Sequence, residues 1–439
     1  MEFILVDFSV KNFRSFKTKQ TFSMQTAPYL KKFKESNTIK SPDIRLLKNA
    51  LIFGANGGGK TNVFEGIRTL RALLLNWGMN YKRNHSKLPY VPFKMDEENE
   101  LGYTEFEIVL YLDFRYFKFT ITYDGDRIHH ESLVELKTKR DILYYEREYS
   151  HDKQGYLYKT PKVSDLTDKT RKNISYLTIL SEFNDDTAIL ILDWFKFDLK
   201  IIDTNYDLRY FNSLLEKLED EKFKHNVLNI LKVADYNIVD IIVNRKKEEI
   251  PDIIKKILED DDDDDEKFIE FNDAYTVYNK VNSHNGEDDV TLLHADSYES
   301  RGTKKMIVIA IALLDAFERG KTLLIDEFDS AFHIAISKFL LQLFNSKDYN
   351  KNAQFILNTH DINLLDNNIL RVDQIWFAEK NKLNSTEIYS LYDFNDDKNR
   401  SRSDISYAKE YLKGKFGAYP VISEGLLDIQ PFNNCKAGI

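Results

Sequence analysis

Gly54-Ala55-Asn56-Gly57-Gly58-Gly59-Lys60-Thr61 decides how this chain is read, because the eight residues match G-x-x-x-x-G-K-[ST] in full. The flanks supply the context that such a match requires. Ala50 to Phe53 is a short apolar run of strand character, and Val63, Ile67, Leu70 and Leu74 recur at helical spacing after the loop. A strand is therefore expected to feed a phosphate-binding loop that opens an amphipathic helix over Thr61 to about Asn76, with Gly78 marking its end. Glycines at 54, 57, 58 and 59 let backbone N–H groups, with those of Ala55, Asn56 and Asn62, wrap a polyphosphate at the positive end of that helix. Lys60 would reach the β- and γ-phosphates of ATP, and the Thr61 hydroxyl would ligate Mg²⁺.

Three more segments carry chemistry. Lys321 to Glu327 (KTLLIDE) is an apolar strand ending in two carboxylates. Asp326 stands where a magnesium-holding aspartate belongs relative to such a loop, and Glu327 is placed to polarise an attacking water as general base. Seen alone, the pair reads equally well as a solvated turn. Gln354 to Asp361 (QFILNTHD) is another strand ending in polar groups, from which His360 would contact a γ-phosphate and sense its loss. Glu299 to Thr303 (ESRGT) precedes an apolar helix from Met306, so Ser300 and the backbone at Gly302 would cap a helix start that favours an anion.

The remaining chain sets the frame. Its 439 residues suit roughly two to three structural units at about 150 residues each. With 42% hydrophobic and 30% charged residues it has the composition of a soluble globular protein, and 71 acidic against 62 basic residues (net −9) disfavour a broadly basic nucleic-acid coat. The only cysteine is Cys435, which excludes an intrachain disulfide and a cysteine-based zinc site and fits a reducing, cytoplasmic compartment. Glu2 and Asp7 interrupt the N-terminal apolar stretch, so neither a signal peptide nor a membrane anchor is expected there. Met306 to Leu314 is about half the roughly 20 residues of a membrane span.

Phe3 to Val10 reads as a first strand, and residues 103–136 alternate in short segments that predict an antiparallel meander. Amphipathic stretches at Phe211 to Leu218 and Val227 to Val233 predict helices, while Glu259 to Glu266 is an acidic run read as a solvated loop. The expected organisation is an N-terminal lobe with the phosphate loop (1–84), an antiparallel β subdomain (85–162), a mainly helical insertion with the acidic loop (163–290), and a C-terminal α/β lobe (291–439).

The order of phosphate loop, S-x-G before a helix, strand plus Asp-Glu, and strand plus Thr-His resembles the ABC-type ATPase head of the SMC, RecF and OLD kind. Within that superfamily VKNFRSF (10–16), DEFDSAFH (326–333), NTHD (358–361) and YLKGKFGAYPVI (411–422) resemble stand-alone ATPases of bacterial anti-phage and abortive-infection systems, of the RloA and AbiLi kind. The resemblance implies an α/β, ABC-type P-loop ATPase head with an antiparallel β subdomain and a mainly helical insertion. It implies ATP and Mg²⁺ as cofactors, and a homodimer in which ATP lies between Lys60 of one protomer and Ser300 to Gly302 of the other. It assigns Asp329 and Ser330 to a loop communicating across the dimer and brings Arg14 towards the nucleotide; read alone, Arg14 is a surface arginine with a local partner. The signature ESRGTKK departs from the transporter pattern by lacking its second glycine, and His333 stands where transporters carry aspartate.

Two functions share these motifs. One is a sensor or regulator ATPase of phage defence that controls a separately encoded effector, such as a toprim-like nuclease; the roughly hundred residues after Glu327 show no nuclease-like acidic constellation. The alternative is a RecF-like or SMC-like ATPase that binds DNA directly in repair or maintenance. A transporter subunit and a GTPase fit less well, the latter because Asn358-Thr359-His360-Asp361 is no guanine-reading Asn-Lys-x-Asp.

Overall fold

All five residues leading into the phosphate loop, Asn49–Phe53, are buried, and their side chains divide between two cores: Ala50 and Ile52 enter one, Leu51 and Phe53 the other. A segment buried in this alternating way is a strand covered on both faces. The computed structural model describes residues 3–41, 44–75, 87–159, 165–206, 208–249, 268–280, 289–394 and 406–420. Gly78, the acidic run from Glu259 to Glu266, and Cys435 lie outside the described residues. In chain order the strands are β1 (Phe3–Lys11), β2 (Gln20–Ser23), β3 (Thr38–Lys40), β4 (Arg45–Leu47), β5 (Asn49–Phe53), β6 (Thr104–Leu112), β7 (Arg115–Tyr123), β8 (Ile128–Leu136), β9 (Ile142–Ser150) and β10 (Gly155–Lys159). They continue with β11 (Leu199–Ile202), β12 (Asp240–Glu249), β13 (Phe268–Lys280), β14 (Asp289–His294), β15 (Thr322–Ile325), β16 (Gln354–Asn358), β17 (Ile375–Lys380) and β18 (Thr386–Ser390).

The central sheet has the order β11-β15-β16-β5-β17-β18 and is parallel except for the final β17–β18 hairpin. Both β15 and β16 repeat the alternation of β5, with Leu324 and Ile356 in one core and Leu323, Ile325, Phe355 and Leu357 in the other. On the first face lies the helix Lys60–Leu75, which buries Val63, Ile67, Leu70 and Leu74 as its spacing predicts. Gly66 lets that helix come close to β1, since a Cβ there would sit 3.0 Å from the Phe8 ring. The second face is covered by the helices Arg301–Arg319 and Ile334–Asn345.

An antiparallel sheet of order β10-β9-β8-β7-β6-β1-β2 completes the layer over the Lys60–Leu75 helix. It is not confined to residues 85–162. β1 pairs with β6 on one side and β2 on the other, because Leu5, Phe8 and Val10 share the first core while Ile4 and Val6 form a smaller one on the far face. The stretch 163–290 also differs from its mainly helical expectation. Its first part carries the helices Tyr176–Glu182, Asp186–Asp193 and Glu221–Val233, but β11 leaves it to become the edge of the central sheet, parallel to β15. Its last part is the antiparallel sheet β12-β13-β14. Four residues are too few to show a period, and the charges of Asp240–Glu249 hide the alternation of β12. No helix among the described residues is long and apolar enough to cross a membrane.

One side chain stitches the two large sheets together. Gln354, at the start of β16, accepts the Leu5 N–H at 2.8 Å and donates to Leu5 O at 3.0 Å and Leu47 O at 3.3 Å, all buried. Gln354→Ala would strand backbone groups at about 1–3 kcal/mol each, so it is expected to lower stability by about 3 kcal/mol. Thermal or denaturant unfolding checks this; an unchanged midpoint would show the bridge to be dispensable.

Candidate nucleotide site

Parallel register gathers residues that are far apart in sequence. Pairing of Ile52 with Asn358 and of Ile325 with Leu357 brings the C-terminal ends of β5, β16 and β15 into one row, so the phosphate loop, Thr359-His360 and Asp326-Glu327 emerge side by side. The crevice at the carboxyl ends of parallel strands is where ligands bind in open α/β sheets.

The loop itself is seated on the β17–β18 hairpin. Gly54 has φ +151° and an added Cβ would lie 2.2 Å from Ala378 O; Gly59 has φ +103° and its Cβ would strike Thr386 Oγ1, also at 2.2 Å. Thr386 Oγ1 donates to Gly58 O at 3.0 Å and bonds Ser15 Oγ at 2.7 Å, and Asn62 Nδ2 donates to the same Ser15 Oγ at 2.6 Å. Asn62 thus turns its amide to the N-terminal VKNFRSF segment. The Ala55 N–H donates to Ala418 O at 3.1 Å, which seats the C-terminal KFGAYP stretch on the loop.

Lys60 is buried and donates to Gly54 O at 2.8 Å and Ala55 O at 3.1 Å, with His360 Nδ1 3.2 Å away. Burial pushes its ammonium down to about 8, against the opposing pull of Asp329, Asp326 and Glu327. His360 is lowered too, first by burial and then by the charge of Lys60, which favours neutral imidazole beside the cation. The His360 N–H donates to Asp329 Oδ1 at 3.1 Å. Asp326 is buried and accepts from Thr61 Oγ1 at 3.3 Å. That contact is the one a divalent cation would replace, and the all-oxygen pair suits Mg²⁺, which takes one or two carboxylates and fills its shell with phosphate oxygens and water. Among the described residues no group of three or more His, Cys, Asp and Glu side chains is arranged to hold a metal.

Glu327 is held by its backbone. Its N–H donates to Asp326 Oδ1 at 2.9 Å and Asn358 Oδ1 at 2.6 Å, and its φ of +44° is left-handed, a conformation that a glutamate keeps only when its surroundings impose it. Behind it Lys305 Nζ donates to Glu327 O at 2.8 Å, Phe328 O at 2.9 Å and Ser330 O at 2.6 Å. Asn358 and Lys305 lie inside the quoted NTHD and ESRGTKK segments, yet their roles were not legible there. The only signal was a lysine set in an otherwise buried helix face.

Ser300 and Gly302 belong to a different surface. Ser300 is exposed, and its Oγ accepts the Thr303 N–H at 3.1 Å as the cap of the helix Arg301–Arg319. Gly302 packs on the loop after β15, where a Cβ would meet Ala331 O at 2.8 Å. Arg14 does not join the row of strand ends. Its guanidinium pairs with Glu65 at 2.7 Å, one turn along the helix from the phosphate loop, and is 40% exposed.

Gly59→Ala would force a side chain into a left-handed φ and against Thr386 together, so a loss of about 2 kcal/mol or more and of nucleotide binding is expected. Unfolding midpoints and a fluorescent-nucleotide titration check it; a variant that binds normally would contradict the described seat of the loop.

Residues 50–366 match the family described as "AAA domain, putative AbiEii toxin, Type IV TA system". Similar solved structures include the SMC head domain from Thermotoga maritima, at 12% identity and TM-score 0.38, covering 88% of this chain and 98% of that one. Another is an SmcHead bound to the C-winged helix domain of ScpA, at 14% identity and TM-score 0.40, covering 88% and 97%. No curated protein matches the chain. With more than half of its length matched, and with a phosphate loop on its strand and helix beside Asp326-Glu327, the chain belongs to this AAA-domain family.

Proposed function

We propose that the protein is an ATP-hydrolysing switch that closes and opens as a homodimer, and that it serves as the sensor or regulator of an anti-phage defence system acting through a separately encoded effector. The observation that carries the dimer is the exposure of Ser300, whose side chain bonds only Thr303 of its own helix among the described contacts, at a helix start with no described contact to its own phosphate loop. A second protomer's nucleotide is the natural anion for that end. The family's toxin-linked description supports the defence role.

In this reading Lys60 and loop N–H groups hold the β- and γ-phosphates, those of Ala55, Gly58 and Asn62 being already given to Ala418 O, Ala55 O and Gly59 O, and Thr61 and Asp326 would hold Mg²⁺, which would neutralise charge developing on the transferred phosphoryl group. Glu327 orients and deprotonates the attacking water, and His360, bonded through its backbone to Asp329, registers the γ-phosphate. Asp329 and Ser330 carry the signal across the dimer.

Glu327→Gln is expected to bind ATP, to accumulate as a closed dimer on sedimentation, and to lose about 10²- to 10⁴-fold in turnover. Near wild-type hydrolysis would refute the general-base role. Purified protein that cleaved DNA without a partner would count against control of a separate effector, and tight, steeply salt-dependent DNA binding would favour direct action on DNA.

A pH dependence follows from Lys60. Its free ammonium titrates at about 8, and a bound phosphate stabilises the charged form, so binding takes up a proton once the pH passes that value. ATP affinity is expected to hold below about pH 7 and to weaken by up to about tenfold per unit above pH 8. Calorimetry in buffers of different ionisation enthalpy reads the proton uptake directly; a flat affinity to about pH 9 would contradict the lowered proton affinity of Lys60.

A further inference from the structure

Lys305 lies five residues beyond Ser300 on the same helix and has no exposed surface. Taking an ammonium out of water costs several kcal/mol, so what it holds must account for its place. Its three protons meet three backbone carbonyls, those of Glu327, Phe328 and Ser330, with Ser330 Oγ also within 3.1 Å. The rings of Phe332 and Tyr206 lie 4.5 Å and 5.3 Å from the nitrogen and add their negative faces. No carboxylate is among its hydrogen-bond partners described here. The lysine therefore grips main chain, and the main chain it grips carries Glu327.

A second contact joins the same two elements. At Gly302 the helix start meets Ala331 O so closely that no side chain fits between them. The segment from Glu327 to Ala331 is thus attached to the helix at both ends, and both Glu327 and Ala331 have left-handed backbones, with φ of +44° and +63°. Each such non-glycine residue is strained and springs back unless it is held. From the sheet side, Asp326 and Asn358 accept the Glu327 N–H, Asn358 O accepts the Phe328 N–H at 2.9 Å and the His360 backbone N–H donates to Asp329 Oδ1, so the strand ends hold this segment mainly by its N–H groups and Lys305 by its carbonyls.

We infer that Lys305 is a positioning residue: it locks the carbonyls of Glu327, Phe328 and Ser330 to the helix that begins at Ser300, so that the Glu327 carboxylate takes its working place when that helix start engages the nucleotide of the other protomer. This rests on the dimeric reading given under Proposed function. It assigns to one buried side chain the link between the half-site a protomer offers its partner and the half-site it keeps.

The test compares ATP affinity, KM, kcat and ATP-dependent dimerisation for wild type, Lys305→Met, Glu327→Gln and the double variant. Lys305→Met is expected to keep ATP affinity and KM within about twofold and to lose about 30-fold in kcat, the scale of a catalytic group misplaced by about 1 Å. Because the lysine acts through Glu327, adding Lys305→Met to Glu327→Gln should cost nothing further in kcat. A purely structural lysine would instead lower ATP affinity and the unfolding midpoint together, and its loss would add to that of Glu327→Gln; that result overturns the assignment, as does an unchanged kcat in folded Lys305→Met. If the methionine variant does not fold, Lys305→Gln, whose amide still donates two bonds, is expected to show the same pattern at about tenfold. Wild type that hydrolyses ATP as a monomer would overturn the dimer itself, an outcome visible by sedimentation independently of the Lys305 kinetics.

Discussion

Everything chemical in this protein depends on the register of three short parallel strands. β5, β16 and β15 are buried on both faces, and their side chains feed two cores alternately. A slip of one residue would send Leu323, Ile325, Phe355 and Leu357 into the wrong core, and in the same step would move Asp326 or Asn358 out of the row that faces the phosphate loop. Stability and chemistry therefore select the same register. Gln354 fixes it sideways as well, by tying the start of β16 to β1 in the other sheet.

Two buried lysines meet in this row, and the difference between them explains how it can be both rigid and responsive. Lys60 is satisfied by two carbonyls of its own loop and a histidine nitrogen. These are neutral acceptors, and a phosphate oxygen makes a charge-assisted bond of about twice the strength, so an arriving nucleotide outcompetes them. Lys305 is saturated by three carbonyls in a site without exposed surface and has no proton left to offer. The first lysine is exchangeable and the second is a fixture, although burial lowers the proton affinity of both, Lys60 to about 8 and Lys305 to about 7.

Local patterns in the sequence carried much of this. The phosphate loop, the helix after it, β15, β16 and the β17–β18 hairpin each have a period or a motif within their own few residues, and each lies where that pattern puts it. What stayed illegible depends on partners remote in the chain. Thr386 meets Gly58, Ala418 meets Ala55, and β11 reads as strand only when β15 lies beside it. Nothing near Lys305 announces that its partners begin twenty-two positions on at Glu327. Arg14 shows the converse: the motif around it suggests the nucleotide, while its alternative reading, a surface arginine with a local partner, describes the Glu65 pair it makes.

The single chain is electrostatically unfinished at two places, and this is the physical case for a sandwich. Helix starts carry about half a positive charge and usually attract Asp or Glu into the first turn. The helix Lys60–Leu75 has no acid there and begins with Lys60 itself; the helix Arg301–Arg319 has none either, and it begins with Arg301 followed by Lys304 and Lys305. The Ser300 cap satisfies one N–H of the second helix but brings no charge. Neither end carries an acid in its own first turn, although Asp326, Glu327 and Asp329 lie near Lys60 and Asp296 pairs with Lys304, so each can still receive an apposed polyanion. In the proposed dimer a triphosphate between one protomer's loop and the other's Ser300–Gly302 would engage both at once, so closure would gain from nucleotide at two helix ends per site where an isolated protomer would gain at one. That surplus is what would make closure depend on the γ-phosphate, and what its loss on hydrolysis would withdraw.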